Sequence, residues 1–133
     1  MLATTREQSQ KLLRLGLNTE TADACWVNDS VCKDILIADT LENVQRRYDE
    51  IYDKEGMNAE NFVSLLPAWS LDVLLEITRK ANATTSLVVF HGRGTHMRCK
   101  DNGFIWQKDL HGSSQFQVVF DMICWLLKEG YIK

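Results

Sequence analysis

A chain of 133 residues has the length of one ordinary domain, residues 1–133, and leaves no room for two. It is 45% hydrophobic and 25% charged, with seven glycines and one proline, which excludes the disordered, collagen-like and disulfide-scaffold classes. The net charge of -3 weighs against a surface built wholly for nucleic acid, and no run approaches the ~20 apolar residues that span a bilayer.

The opening residues, Met1 to Gln8, lack the basic-then-apolar pattern of a secretory signal, so a cytoplasmic protein is expected. Cys25, Cys32, Cys99 and Cys124 form no C-x-x-C pair and read as reduced, half-buried apolar side chains. Residues 5–15 form a first helix with a stripe of Leu12, Leu13 and Leu15, closed by Gly16. Asn18 or Thr19 then caps a second, shorter helix through Trp26. Two helices about a glycine turn also outline a DNA-reading motif. Glu20 and Asp23, however, stand where a recognition helix needs basic or amide side chains, which favours a packed helical hairpin.

Ile35-Leu36-Ile37 is a short apolar run of strand character. Asp39 or Thr40 caps a helix to about Glu55, whose Leu41, Val44, Tyr48, Ile51 and Tyr52 recur at spacings of three and four on one buried face. Pro67-Ala68-Trp69 interrupts the pattern. Ser70 caps the following helix with its Leu71, Leu74 and Leu75, and Trp69 is placed to staple onto Leu74.

Beyond Ser86 the period changes. Leu87 to Phe90 is β-branched and aromatic, Gly92-Arg93-Gly94 is a turn, and Thr95 to Lys100 alternates strictly. Thr95, Met97 and Cys99 therefore face a core while His96, Arg98 and Lys100 face outward. Asp101-Asn102-Gly103 is a second turn, and residues 104–108 supply a third strand of an antiparallel meander. Ser114 and Gln117 stand in capping-box register before a last helix in which Phe116, Val119, Phe120, Ile123, Cys124 and Leu127 make a wide apolar face, ended by Gly130. The expected fold is α+β: N-terminal helices, a three-stranded antiparallel meander, and the C-terminal helix packed on that sheet.

The segment Leu66-Pro67-Ala68-Trp69-Ser70-Leu71 and the ending Met122-Ile123-Cys124-Trp125-Leu126-Leu127-Lys128-Glu129-Gly130-Tyr131-Ile132 resemble an uncharacterised group of small proteins. That group is encoded by gut anaerobic bacteria and their phages or mobile elements. Leu15-Gly16-Leu17 followed by Thr21-Ala22-Asp23 is similar to the same pattern, whereas the helix from Leu41 to Glu55 is not matched. The resemblance implies no activity and carries over no catalytic residue, since the matching positions are mostly apolar.

The sharpest candidate surface is the basic hairpin of His91, Arg93, His96, Arg98 and Lys100, with Phe90, Phe104 and Trp106 available for stacking. A charged outward strand face also keeps a sheet from pairing edge to edge, which is the plainer use of such residues. A metal set of His91, His96 and Cys99 fails because His96 and Cys99 point to opposite faces of a strand. A cysteine–histidine nucleophile pair, Cys99 or Cys124 with His91, His96 or His111, is not fixed by sequence because such partners meet only in space, and Cys124 lies on a packed helix face where a thiol is inert. Arg93 between two glycines is too short for a nucleotide loop, and Asp49 and Asp53 read as a solvated helix surface. No catalytic residue, cofactor or metal is expected. The reading is a small interaction module with a protein partner and no membrane association, and the alternative is a nucleic-acid-binding accessory that uses the basic hairpin.

Overall fold

The computed structural model describes residues 2–31, 33–90, 94–100 and 105–132, apart from the side chain of Phe90. The chain divides into two compact units, Met1–Arg14 with Asn18–Ser70, and Leu15–Leu17 with Leu71–Lys133.

The first unit opens with helix α1 (Arg6–Arg14). Asn18 does act as a cap, accepting from the Glu20 N–H at 3.0 Å, but what it caps is a single 3-10 turn over Thr19–Thr21. The expected second helix is a strand, β1 (Ala24–Asn28). Cys25 and Val27 are wholly buried, while Trp26 between them is only half-buried and Asn28 beyond them is exposed. That period of two suits a pleated strand and not a helix. β1 pairs antiparallel with β2 (Ile35–Ile37) on one side and with β3 (Ser64–Ala68) on the other, placing Cys25 opposite both Ile37 and Pro67. Pro67 thus lies inside a strand where an interruption was expected. An edge strand tolerates it because one side of the strand has no neighbour to receive an N–H.

Helix α2 (Leu41–Lys54) starts where expected, with the Thr40 hydroxyl accepting from the Asn43 N–H at 3.2 Å. It packs on β1 and β3. Val44 joins Cys25 and Val27 in a buried cluster, flanked by Ile37, Leu41, Tyr48, Val63 and Leu65. Ile51, expected on the same face, stays 57% exposed, and Tyr52 stacks on Phe62 with ring centres 5.3 Å apart.

A buried polar knot ties the start of the chain to β3. Thr4 is fully buried, and its N–H donates to the Trp69 carbonyl at 2.9 Å. The Trp69 N–H donates to the Thr4 hydroxyl at 3.0 Å, which also shares a 2.7 Å hydrogen bond with the Ser9 hydroxyl. The Thr4 carbonyl accepts from the Trp26 indole at 2.9 Å, and the Trp69 indole donates to Thr21 at 2.9 Å. Asp23 accepts from both the N–H and the hydroxyl of Ser70, at 2.8 and 2.6 Å. Such a knot satisfies groups that would be costly to bury alone.

The second unit contains helix α3 (Leu71–Lys80), then β4 (Thr84–Phe90), β5 (Gly94–Lys100) and β6 (Lys108–Gly112), and finally helix α4 (Gln115–Lys128). The three strands form an antiparallel meander in the order β4-β5-β6. α4 packs on β5 and β6, and α3 packs against α4 and β4. Ser114 caps α4 by accepting from the Gln117 N–H at 3.2 Å, and Gly130 closes it at φ +80. Phe120 and Ile123 are 4% and 0% exposed, as an anchor of the core requires. Burying each side chain of this kind stabilises a fold by about 1.5–3 kcal/mol.

The architecture is therefore α+β, with one three-stranded sheet more than expected and one N-terminal helix fewer. The third strand of the meander also lies further along than expected, at Lys108–Gly112 rather than residues 104–108. Ile105, read as a strand residue, is 75% exposed. The real strand is polar because it lies at an edge of the sheet, where outward positions meet water.

Candidate functional site

The outward face of the β4–β5–β6 sheet brings together more chemistry than any other surface among the described residues. Along β5, Thr95, Met97 and Cys99 are buried beneath the helices, whereas His96, Arg98 and Lys100 are half-buried on the opposite face, as their alternation predicts. His91 and Arg93 of the expected basic set lie outside the described residues, as do both turns except Gly94.

The antiparallel register sets His96 directly opposite His111 and Arg98 directly opposite Asp109. Opposed Cβ atoms are about 5 Å apart, close enough for side chains to pack face on. The two imidazoles do so, with ring centres 4.0 Å apart and planes within 16°. The Asp109 carboxylate meets both rings through the same oxygen: Oδ1 contacts His96 Nε2 and lies 3.4 Å from His111 Nε2. His96 is the covered member, its side chain 21% exposed, while His111 and Asp109 open to solvent.

Arg98 would be the ordinary cross-strand partner of Asp109. Its guanidinium instead lies over the Trp106 ring, 4.2 Å from the centroid, and Lys100 Nζ lies 5.0 Å from the same ring. Two cations drawn to one indole leave Asp109 to the imidazoles. The backbone supports this placement, because the Gln107 N–H donates to the Cys99 carbonyl at 2.7 Å just before β6 begins. Of the three aromatic residues expected to stack, Trp106 is the one placed beside the basic residues; Phe104 and the Phe90 side chain lie outside the described set.

Sequence reading missed Asp109, and it considered His111 only as a partner for a cysteine nucleophile and not as part of this face. The signal is Asp109-Leu110-His111 itself, two polar ligand types at a spacing of two, which a strand places on one face. It is legible only once the strand is set at Lys108–Gly112.

The other candidates do not converge in this way. Cys99 faces the core, away from His96, and Cys124 is buried within α4. Burial pushes the Cys25 thiol up from its ordinary value, against weaker opposing pulls from the Leu66 backbone and Arg6. On α2, Asp49 accepts a hydrogen bond from Gln45 at 3.0 Å, in keeping with a solvated helix surface. The first unit carries an open depression of about 590 Å³ with Glu20, Thr40, Glu42 and Gln45 on its walls, and an apolar groove of about 250 Å³ bounded by Ile37, Val44, Tyr48 and Ile51. Among the described residues, no helix is long and apolar enough to cross a membrane.

Comparison with protein-family models, with curated proteins and with solved structures finds no match to this chain.

Proposed function

We propose that this chain is a non-enzymatic interaction module of phage or mobile-element type, which binds a protein partner through the outward face of its β4–β5–β6 sheet. The observation that carries this reading is Trp106 held beneath Arg98 and Lys100. Tryptophan and arginine are the residue types that most often anchor protein interfaces, and a ring already fixed by two cations loses little freedom on docking. Val88, opposite His96 and 43% exposed, adds apolar area to the same face.

A nucleic-acid role uses the same three basic residues, but the geometry supports it less well. Asp109 places a carboxylate among them, which phosphates would meet as repulsion.

The test is capture of partners from host lysate by the full chain, with and without nuclease, in parallel with Trp106→Ala and Arg98→Glu. Proteins that survive nuclease with the parent and are lost with Trp106→Ala are the expected result. Loss of all captured material on nuclease treatment, with salt dependence flattened in Arg98→Glu, would transfer the function to nucleic acid. An unchanged set with Trp106→Ala would remove this face from consideration.

A further inference from the structure

We infer that His96, Asp109 and His111 form a binding site for one divalent transition-metal ion of the zinc class. This goes beyond the partner-binding reading and departs from the expectation, made from sequence, that the chain holds no metal.

The donor atoms of these three side chains all lie within 4.8 Å of one another. At the bond lengths zinc takes with imidazole nitrogen and carboxylate oxygen, two donors on one ion stand about 3.3 Å apart. His111 Nε2 and Asp109 Oδ1 are 3.4 Å apart with no rearrangement. The His96–Asp109 contact is tighter than that and has to open to admit an ion, an adjustment that side-chain rotation supplies because all three residues rise from the same face of two paired strands. Strands hold a constellation more rigidly than loops do.

The arrangement favours the same occupant: the stacked rings bring two imidazole nitrogens and one carboxylate oxygen to a common point, and a divalent cation can accept from all three at once. The donor types exclude calcium and magnesium, which prefer all-oxygen shells, and match zinc, cobalt(II), nickel(II) or copper(II). Three protein ligands leave at least one position on the ion for water or for a ligand from another molecule, and the exposure of His111 and Asp109 keeps that side open.

The engagement of Arg98 with Trp106 is what leaves the carboxylate available. Were the guanidinium paired with Asp109 across the strands, its charge would oppose an incoming cation.

The experiment uses the full chain without an affinity tag, stripped with a chelator and titrated with zinc chloride by calorimetry. Cobalt(II) absorption serves as a second readout of inner-sphere ligation. One ion per chain is expected, and His96→Ala, His111→Ala and Asp109→Asn should each weaken binding at least about tenfold, since even outer-shell changes at metal sites cost 10–100-fold. Far-UV circular dichroism confirms the fold of each variant. His111 is exposed at a sheet edge, so its variant remains informative if His96→Ala fails to fold. The inference is overturned if zinc shows no saturation below about 1 mM. It is equally overturned if binding persists in His111→Ala and Asp109→Asn, or depends on His91 instead.

Discussion

Replacing Thr4 by valine keeps the shape of the side chain and removes its hydroxyl from the buried knot. Two partners lose a hydrogen bond: the Trp69 N–H, 3.0 Å away, and the Ser9 hydroxyl, 2.7 Å away. Thr4 and Ser9 are both 0% exposed, so water does not readily take the place of the lost oxygen. Ser9 lies in α1 and can turn back to a carbonyl of the preceding turn, which leaves the Trp69 N–H as the principal orphan. Leaving such a donor unsatisfied costs about 1–3 kcal/mol, and the lost Ser9 contact adds about 1 kcal/mol, so Thr4→Val should destabilise by about 2–4 kcal/mol. At the usual unfolding entropy per residue, a loss of this size lowers the melting temperature by about 7–14 °C. Urea unfolding followed by tryptophan fluorescence is the direct assay, because Trp26 and Trp69 both hydrogen-bond within the knot. A double-mutant cycle with Ser9→Ala should show coupling of about 1 kcal/mol. A cost below about 0.5 kcal/mol with an additive cycle would refute the reasoning, since a buried N–H without a partner has to cost more.

Gly94→Ala should cost about 2–3 kcal/mol, because its φ is +104 and an added Cβ would stand 2.5 Å from the Gly112 carbonyl oxygen. Gly56→Ala, at φ +71 with open space around it, should cost only about 1 kcal/mol in the same thermal melts, and equal costs would show that the clash is irrelevant. Asp39 is held below the usual carboxylate range, first by the Asn43 side chain, then by the Thr40 N–H, with smaller help from Arg47 and Arg46. Its contribution to stability is therefore present above the unfolded value and fades as pH falls through the lower folded one. The stability gap between the parent and Asp39→Asn should shrink below about pH 4, and a gap that stays constant in acid urea titrations would contradict this. Cys25, buried with its thiol pushed up, should resist a thiol reagent at pH 8 until urea unfolds the first unit. Mass spectrometry of the peptide that carries Cys25 reads this directly, and prompt labelling of the native protein would count against the burial.

Strong periodicity made parts of the fold legible in sequence. α4 announces itself through Ser114, Gln117 and a continuous apolar face, and β5 through six alternating residues; both lie where the pattern puts them. The first sheet was hidden for a different reason. β1 is five residues long and follows a true capping asparagine, so local signals favour a helix until β2 and β3 supply its hydrogen bonds. Pro67 disguised β3 because nothing in the sequence says which strands lie at an edge. The site was half legible. His96, Arg98 and Lys100 follow from alternation alone, but Asp109 and His111 depend on register across the β5–β6 turn, where the aromatic run at 104–106 is a stronger local strand signal than Lys108-Asp109-Leu110-His111-Gly112.

The knot at Thr4 also sets an order of events during synthesis. Its bond to the Trp69 N–H closes a separation of 65 positions, and the bonds between Asp23 and Ser70 close one of 47. β1 likewise waits for β3 to complete its second side. A nascent chain that has emerged only as far as α2 has a buried-type strand with one short partner and an N-terminus with nothing to dock on. The second sheet has no such delay, since each of its strands pairs with the next one made. At roughly 5–20 residues per second, the first unit spends several seconds with β1 open on one side, and that interval is when chaperone engagement or mispairing would occur.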